Sequence, residues 1–153
     1  MNFTIALPFI ATVIAGAAVS LQPAFNGQLA DHLGSPLRAA LVSFSAGVLT
    51  LLVVVGALTA REGLPSAERV TSTPLHLWIV GGMLGALFVT TAAWATPKIG
   101  AGAFFATLIA SQLAAALIID HLGLIGLDAR PATLIRIAGV ALLVIGAWMV
   151  VKG

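Results

Sequence analysis

Five long apolar runs, nearly free of charge, dominate this chain, and each is long enough to be a helix crossing a lipid bilayer. They cover about Phe3 to Leu29, Leu37 to Thr59, Leu75 to Thr96, Gly100 to Ile119 and Ala132 to Val151. A helix rises about 1.5 Å per residue, so ~20 residues traverse a hydrocarbon core of about 30 Å. In that medium every backbone N–H and C=O must be satisfied by the protein itself, which leaves helices and closed barrels as spanning structures. The runs are too long for barrel strands of about 10 residues and lack in–out alternation. The expected fold is an all-α integral membrane protein with five transmembrane helices, one transmembrane domain over residues 1–153.

Composition agrees. The chain is 60% hydrophobic and only 8% charged, against the quarter or so that covers a soluble domain, so its surface must face lipid. Seven Lys/Arg against five Asp/Glu leave an excess of +2, and the basic residues are scattered. That is no nucleic-acid footprint. With no cysteine, disulfides and thiolate chemistry are excluded. No His pair at helical spacing with a carboxylate suggests a metal site, and no cofactor is expected. Nothing resembles a nucleophile–base triad, a phosphate loop or paired carboxylates, so an enzyme is not expected. The first run lacks a positively charged start and outlasts a signal-peptide core of about 7–15 residues, and reads as a retained helix.

Polar linkers cover 61–74 and 120–131. Ser35-Pro36 reads as an N-cap followed by proline at the first helical position. Thr73-Pro74 and Arg130-Pro131 are expected to start helices in the same way, Pro97-Lys98 to end one, and Gly34 and Gly153 to end others. Trp78, Trp94 and Trp148 lie near segment ends, where amphipathic rings meet the interface. Small residues recur at four-residue spacing, as in Gly16 and Ser20, Ser43 and Gly47, Gly81 and Gly85, Gly82 and Ala86, or Ala103, Thr107 and Ser111. Such faces let helices approach closely. Gly81, Gly82 and Gly85 are the foremost packing candidates.

Gln22 and Asn26 stand four apart and so share a helix face, while Pro23 removes a backbone donor between them. In lipid these groups must turn toward protein or a wet cavity. They either tie helices together, at about 0.6 to ~2 kcal/mol per bond, or line a substrate cavity, with Pro23 and Gly27 permitting bending. Gln112 is a third neutral polar candidate; Ser43, Phe44 and Trp94 rank below. At the end of the fourth run Asp120 is opposed by the helix dipole and needs a partner: His121, Arg130 or Arg136. Asp120, His121 and Arg136 form either an interfacial ion pair or a titrating gate, the imidazole being the side chain suited to a proton switch. Asp31-His32 is a similar pair. Arg136, about one and a half turns into the fifth run, is expected to snorkel to the interface. No carboxylate lies deep in any run, where coupled transporters usually keep one.

Five spans put the termini on opposite faces. Arg61, Arg69 and Arg130, with Arg136 if it snorkels back, then oppose Arg38, Lys98 and Lys152. Orientation follows the difference in such counts, and this near-tie is either uninformative or the mark of a chain that inserts both ways. Two oppositely inserted copies would supply the inverted repeats that secondary transporters use for alternating access. Five short helices give too little wall for a polar path, so a homodimer is expected, preferably antiparallel.

The order of motifs resembles the YdcZ-like inner-membrane family of small five-helix bacterial proteins. The matching residues are Gln22-Pro23-x-x-Asn26-Gly27-Gln28-Leu29, Ser35-Pro36, Ser43-Phe44-x-x-Gly47, Trp78, Gly81-Gly82-x-x-Gly85, Pro97-x-x-Gly100, Gln112-Leu113 and Ile119-Asp120-His121-x-Gly123 followed by Gly126. The resemblance implies the drug/metabolite transporter superfamily, the bacterial inner membrane, antiparallel pairing, and export or exchange of small solutes. One departure from the related small multidrug exporters concerns their first-helix glutamate: this first run offers only Gln22 and Asn26. The expectation is thus a dual-topology homodimer that exports a small molecule by alternating access, with membrane lipid as its other contact. A passive channel or a non-transporting assembly subunit are the alternatives.

Overall fold

The computed structural model describes residues 3–153, with side chains from Leu7 onward. Among them the chain forms α1 (Phe3–Leu33), α2 (Pro36–Glu62), α3 (Ala67–Ser72), α4 (Leu75–Ile99), α5 (Ala101–Leu122) and α6 (Leu134–Lys152), and no strand. All but the short α3 are long and apolar enough to span a membrane, so the all-α, five-span expectation holds.

The helix ends depart from the sequence reading for identifiable reasons. α1 continues through Asp31 and His32, whose ring Nδ1 bonds the Gln28 carbonyl at 2.8 Å. Gly34, at φ +67°, then turns the chain, and the Ser35 N–H closes on the Ala30 carbonyl at 3.0 Å. Pro36 takes the first position of α2 as expected, although the Ser35 hydroxyl makes no capping bond. Pro97 does not end α4 but sits inside its last turn. There it forfeits one hydrogen bond, the one an N–H would give the Ala93 carbonyl, and the helix runs on to Ile99. Pro131 does not start the last helix either. The Thr133 hydroxyl accepts from the Arg136 N–H at 3.4 Å, so α6 begins at Leu134. Arg136 therefore lies in the first turn, not one and a half turns deep. The sequence reading missed α3, which Ser66 caps by accepting from the Arg69 N–H at 3.4 Å. Its signal was a serine followed two residues on by Glu68.

The chain divides into two compact units, Met1–Pro97 and Lys98–Gly153. In the first, α1, α2 and α4 pack at one end only. Its buried residues are Pro23, Asn26, Gly27 and Ala30 of α1, Ala39 and Ala40 of α2, and Val89, Ala92, Ala93, Ala95 and Thr96 of α4. Small side chains make that end tight. A Cβ at Gly27 would lie 2.9 Å from Pro97 Cγ, and one at Gly85 3.2 Å from Phe44 Cζ. Beyond it the helices bare nearly every side: Leu51, Leu52 and Val53, consecutive on α2, are 61%, 63% and 74% exposed. Apolar surface of this extent belongs against lipid or a partner helix.

In the second unit α5 and α6 pair antiparallel. Gly102 faces Val150 near one end, 3.8 Å from where a Cβ would stand, and Asp120 meets Arg136 near the other. Phe104 is buried beside Phe105, ring edge to face at 5.3 Å. Trp78 Nε1 donates to the Thr73 carbonyl at 3.3 Å, and the Lys152 ammonium sits 4.8 Å from the Trp148 ring centre.

Candidate functional site

Gln22 of α1, Ser43, Phe44, Gly47, Val48 and Leu51 of α2 and Val89 of α4 line an open-sided recess of about 230 Å³. Three of the sequence-predicted substrate residues, Gln22, Ser43 and Phe44, thus meet at one place. Helix spacing explains the α2 wall, since 44, 47, 48 and 51 fall on one face. Gly47 opens the wall, with nothing within 4 Å of a Cβ built there, while the Phe44 ring leans on Gly85. The recess adjoins the packed end of the unit, where Val89 is 5% exposed.

The polar side chains nearby divide into two kinds. Ser45 donates to the Leu41 carbonyl at 2.9 Å and Thr50 to the Ala46 carbonyl at 3.0 Å, each one turn back along its own helix. Ser43 and Gln22, by contrast, make no side-chain hydrogen bond among the described residues. In a lipid-embedded protein such groups cost several kcal/mol when left unmet. Both Ser43 and Gln22 line the one recess.

Asn26, one turn beyond Gln22, is buried rather than lining the recess. It is 5% exposed, and its Nδ2 has no partner among the described residues. The Thr96 hydroxyl on α4 is in the same condition. Sequence reasoning passed over Thr96, whose type at the end of an apolar run is unremarkable. It passed over Val89 too, because aliphatic residues fill every span. Gly27, read as a bending point, lets α1 approach α4 closely, at Pro97 and the Ala93 carbonyl. Gln112 lies on an exposed face of α5, and Trp94 is 54% exposed on α4. Trp94 does not line this recess, and Gln112 belongs to the other unit. Of the glycine triplet only Gly85 meets a neighbouring helix; nothing stands within 4 Å of a Cβ at Gly81 or Gly82.

Asp120, His121 and Arg136 come together as a clasp on the α5–α6 connection. Arg136 pairs through Nη2 with the Asp120 carboxylate, the two side chains being 37% and 30% exposed. Its Nη1 also donates to the carbonyls of Arg130 and Pro131, at 3.3 and 3.4 Å. The Asp120 carbonyl accepts from the Arg130 N–H at 2.7 Å, and His121 Nδ1 accepts from the Ala132 N–H at 3.2 Å. Gly123 ends α5 in the left-handed region at φ +61°. The partner that the helix dipole demands for Asp120 is thus Arg136, and every bond of the cluster holds the connecting loop.

Among the described residues no group of three or more His, Cys, Asp or Glu could hold a metal ion.

Spanning apolar helices with uncharged interiors define a multi-pass, all-α membrane protein. Over residues 7–149 the chain matches the family model described as "Putative inner membrane exporter, YdcZ", and it belongs to that family, as its motifs led one to expect. It is 28% identical over 152 residues to the inner membrane protein YdcZ of Escherichia coli (strain K12), covering 99% of this chain and 98% of that relative. No solved structure matches it. The protein is therefore a multi-pass inner-membrane protein of an exporter family.

Proposed function

We propose that the chain works as an antiparallel, dual-topology homodimer that exports a small polar or amphipathic solute by alternating access. The observation that supports this reading is the open-sided recess that brings Gln22, Ser43 and Phe44 together from α1 and α2, against Val89 of α4. Alternating access needs a polar binding place within the spans, between the two faces. Near-equal positive charge on the two sides supports insertion in both orientations. The bared faces of α2, and of α4 at Gly81 and Gly82, give a second copy room to pack. Asn26, with its unmet Nδ2, gains a partner in the other state of the cycle.

The test is solute flux in proteoliposomes. Gln22→Ala and Asn26→Ala should each reduce flux at least tenfold with the fold intact, whereas Ser45→Ala, whose hydroxyl is already bonded within α2, should not. Normal flux in both of the first two variants would end the cavity reading. Flux that never saturates would indicate a channel, and no flux at all an assembly subunit. Reporters fused to the C-terminus should register on both sides of the membrane; a single orientation would exclude dual topology.

A further inference from the structure

We infer that the solute admitted to the Gln22–Ser43–Phe44 recess is uncharged, an amphipathic molecule with an apolar body and an amide- or hydroxyl-type hydrogen-bonding head. This deepens the transport reading and rests on it only for the flux measurement below.

The chemistry of the wall decides the class. Gln22 offers an amide that both donates and accepts, and Ser43 a hydroxyl that does the same; both are unspent. Phe44, Val48, Leu51 and Val89 supply the apolar remainder. A volume of about 230 Å³ is below the roughly 300–1,000 Å³ of drug-sized sites, so the occupant is small. Taking an ion into such a site carries a desolvation cost that only a counter-charge or several oriented dipoles can offset.

No counter-charge is in reach. The lining helices carry no Asp, Glu, Lys or Arg from Phe3 to Ala30, from Ala39 to Ala60, or from Leu75 to Pro97. Asp31 stands nine residues beyond Gln22, and Lys98 nine beyond Val89, each about 14 Å along its helix. Arg38 keeps its charge but holds it away from the recess: its Nη1 donates to the Leu33 carbonyl at 2.9 Å in the α1–α2 turn, eleven residues beyond Gln22 and about 16 Å along α1. A second copy of the chain would bring the same uncharged spans. A lone phenyl ring attracts cations, but only by about 0.5–1 kcal/mol where solvent reaches it, too little to offset desolvation. A neutral head meets none of these costs and satisfies both free groups.

Three probes sharing one isobutyl body separate the possibilities at pH 6: N-acetyl-leucinamide, neutral; leucinamide, a cation through its amine; and N-acetyl-leucine, an anion through its carboxylate. Binding to the purified protein is measured by equilibrium dialysis, and uptake in proteoliposomes with the membrane potential clamped at either sign. N-acetyl-leucinamide should bind at least tenfold more tightly than either ion, and enter at a rate the clamp does not alter. Gln22→Leu should weaken it roughly three- to tenfold, one hydrogen bond's worth. Gln22→Glu places a carboxylate in the recess, keeps the side chain's size, and should reverse the preference toward leucinamide. Equal or tighter binding of either ion to the unaltered protein overturns the inference. So does a failure of all three to bind, or a Gln22→Glu variant that is folded and monodisperse yet keeps the neutral preference. Selective binding of N-acetyl-leucinamide without uptake of any probe upholds the solute class and overturns the transport reading instead.

Discussion

The approach of α1 to α4 at Gly27 is tight enough to be measured as an energy. A Cβ at Gly27 would stand 2.9 Å from Pro97 Cγ and 3.6 Å from Pro97 Cδ. Carbon atoms in contact rest at about 3.5–4.0 Å, so Gly27→Ala forces an overlap of roughly 0.6 Å against a closed ring that cannot swing aside. Overpacking of this kind costs about 1–3 kcal/mol. The single variant alone would mislead, because alanine is also the better helix former by ~0.8–1 kcal/mol in water. A double-mutant cycle with Pro97→Ala removes that ambiguity. The second change deletes Cγ and Cδ and restores the N–H that meets the Ala93 carbonyl, and both propensity and restored bond cancel from the coupling term. What remains is the clash, expected as a coupling of about 1–3 kcal/mol, with the double variant more stable than the two singles predict. Unfolding in mixed detergent micelles, followed by far-ultraviolet circular dichroism, provides the four stabilities. Gly16→Ala, with nothing within 4 Å of its Cβ, serves as the additive control. A Gly27–Pro97 coupling below about 0.5 kcal/mol, the scatter of independent sites, would refute the close crossing.

Other expectations rest on neighbouring contacts. Asn26→Leu replaces a buried amide whose Nδ2 has no partner with an apolar side chain of similar size. Stability measured by the same unfolding should rise by up to ~1 kcal/mol while flux falls, separating stability from function at one position. Gly123→Ala meets both a left-handed backbone, φ +61°, and neighbours at 3.1–3.2 Å on Ala129 and Leu127; it should lose about 2 kcal/mol or more in thermal unfolding. Arg136→Met strands Asp120 at a helix C-terminus. Because both side chains are about one-third exposed, the loss is set near 1–2 kcal/mol after solvent screening, and adding Asp120→Asn should recover part of it. Limited proteolysis of the 123–133 loop should quicken in the single variant and slow again in the double.

How much of this was legible beforehand differs between helices and their ends. The spans could be read directly, because hydrocarbon leaves a backbone no alternative and the apolar runs are written residue by residue. Their ends could not, since a proline's effect depends on which turn it occupies. Pro36 begins α2 as read; Pro97 is absorbed by a last turn that had little left to lose; Pro131 yields to the Thr133 cap. Gln22 was legible as an anomaly on an apolar helix, as was Asp120 as a carboxylate needing a cation. Thr96, Val89 and the Gly27–Pro97 contact were not, for each is an ordinary residue until another helix lies against it.

The sequence by itself therefore determined the solvent, the number of spans and the absence of charge within them, all consequences of local composition in a medium that tolerates no unmet polar group. Only the tertiary structure decided which polar residues share a space. It placed Gln22 with Ser43 and Phe44, turned Asn26 inward, left Gln112 on an exposed face, and matched Asp120 to Arg136 rather than to His121 or Arg130. Those choices depend on how each helix is rotated and how closely it crosses its neighbour. In a membrane, where apolar faces are nearly interchangeable, rotation and crossing are set by a few small residues such as Gly27 and Gly85, whose effect appears only when the opposing surface is in place.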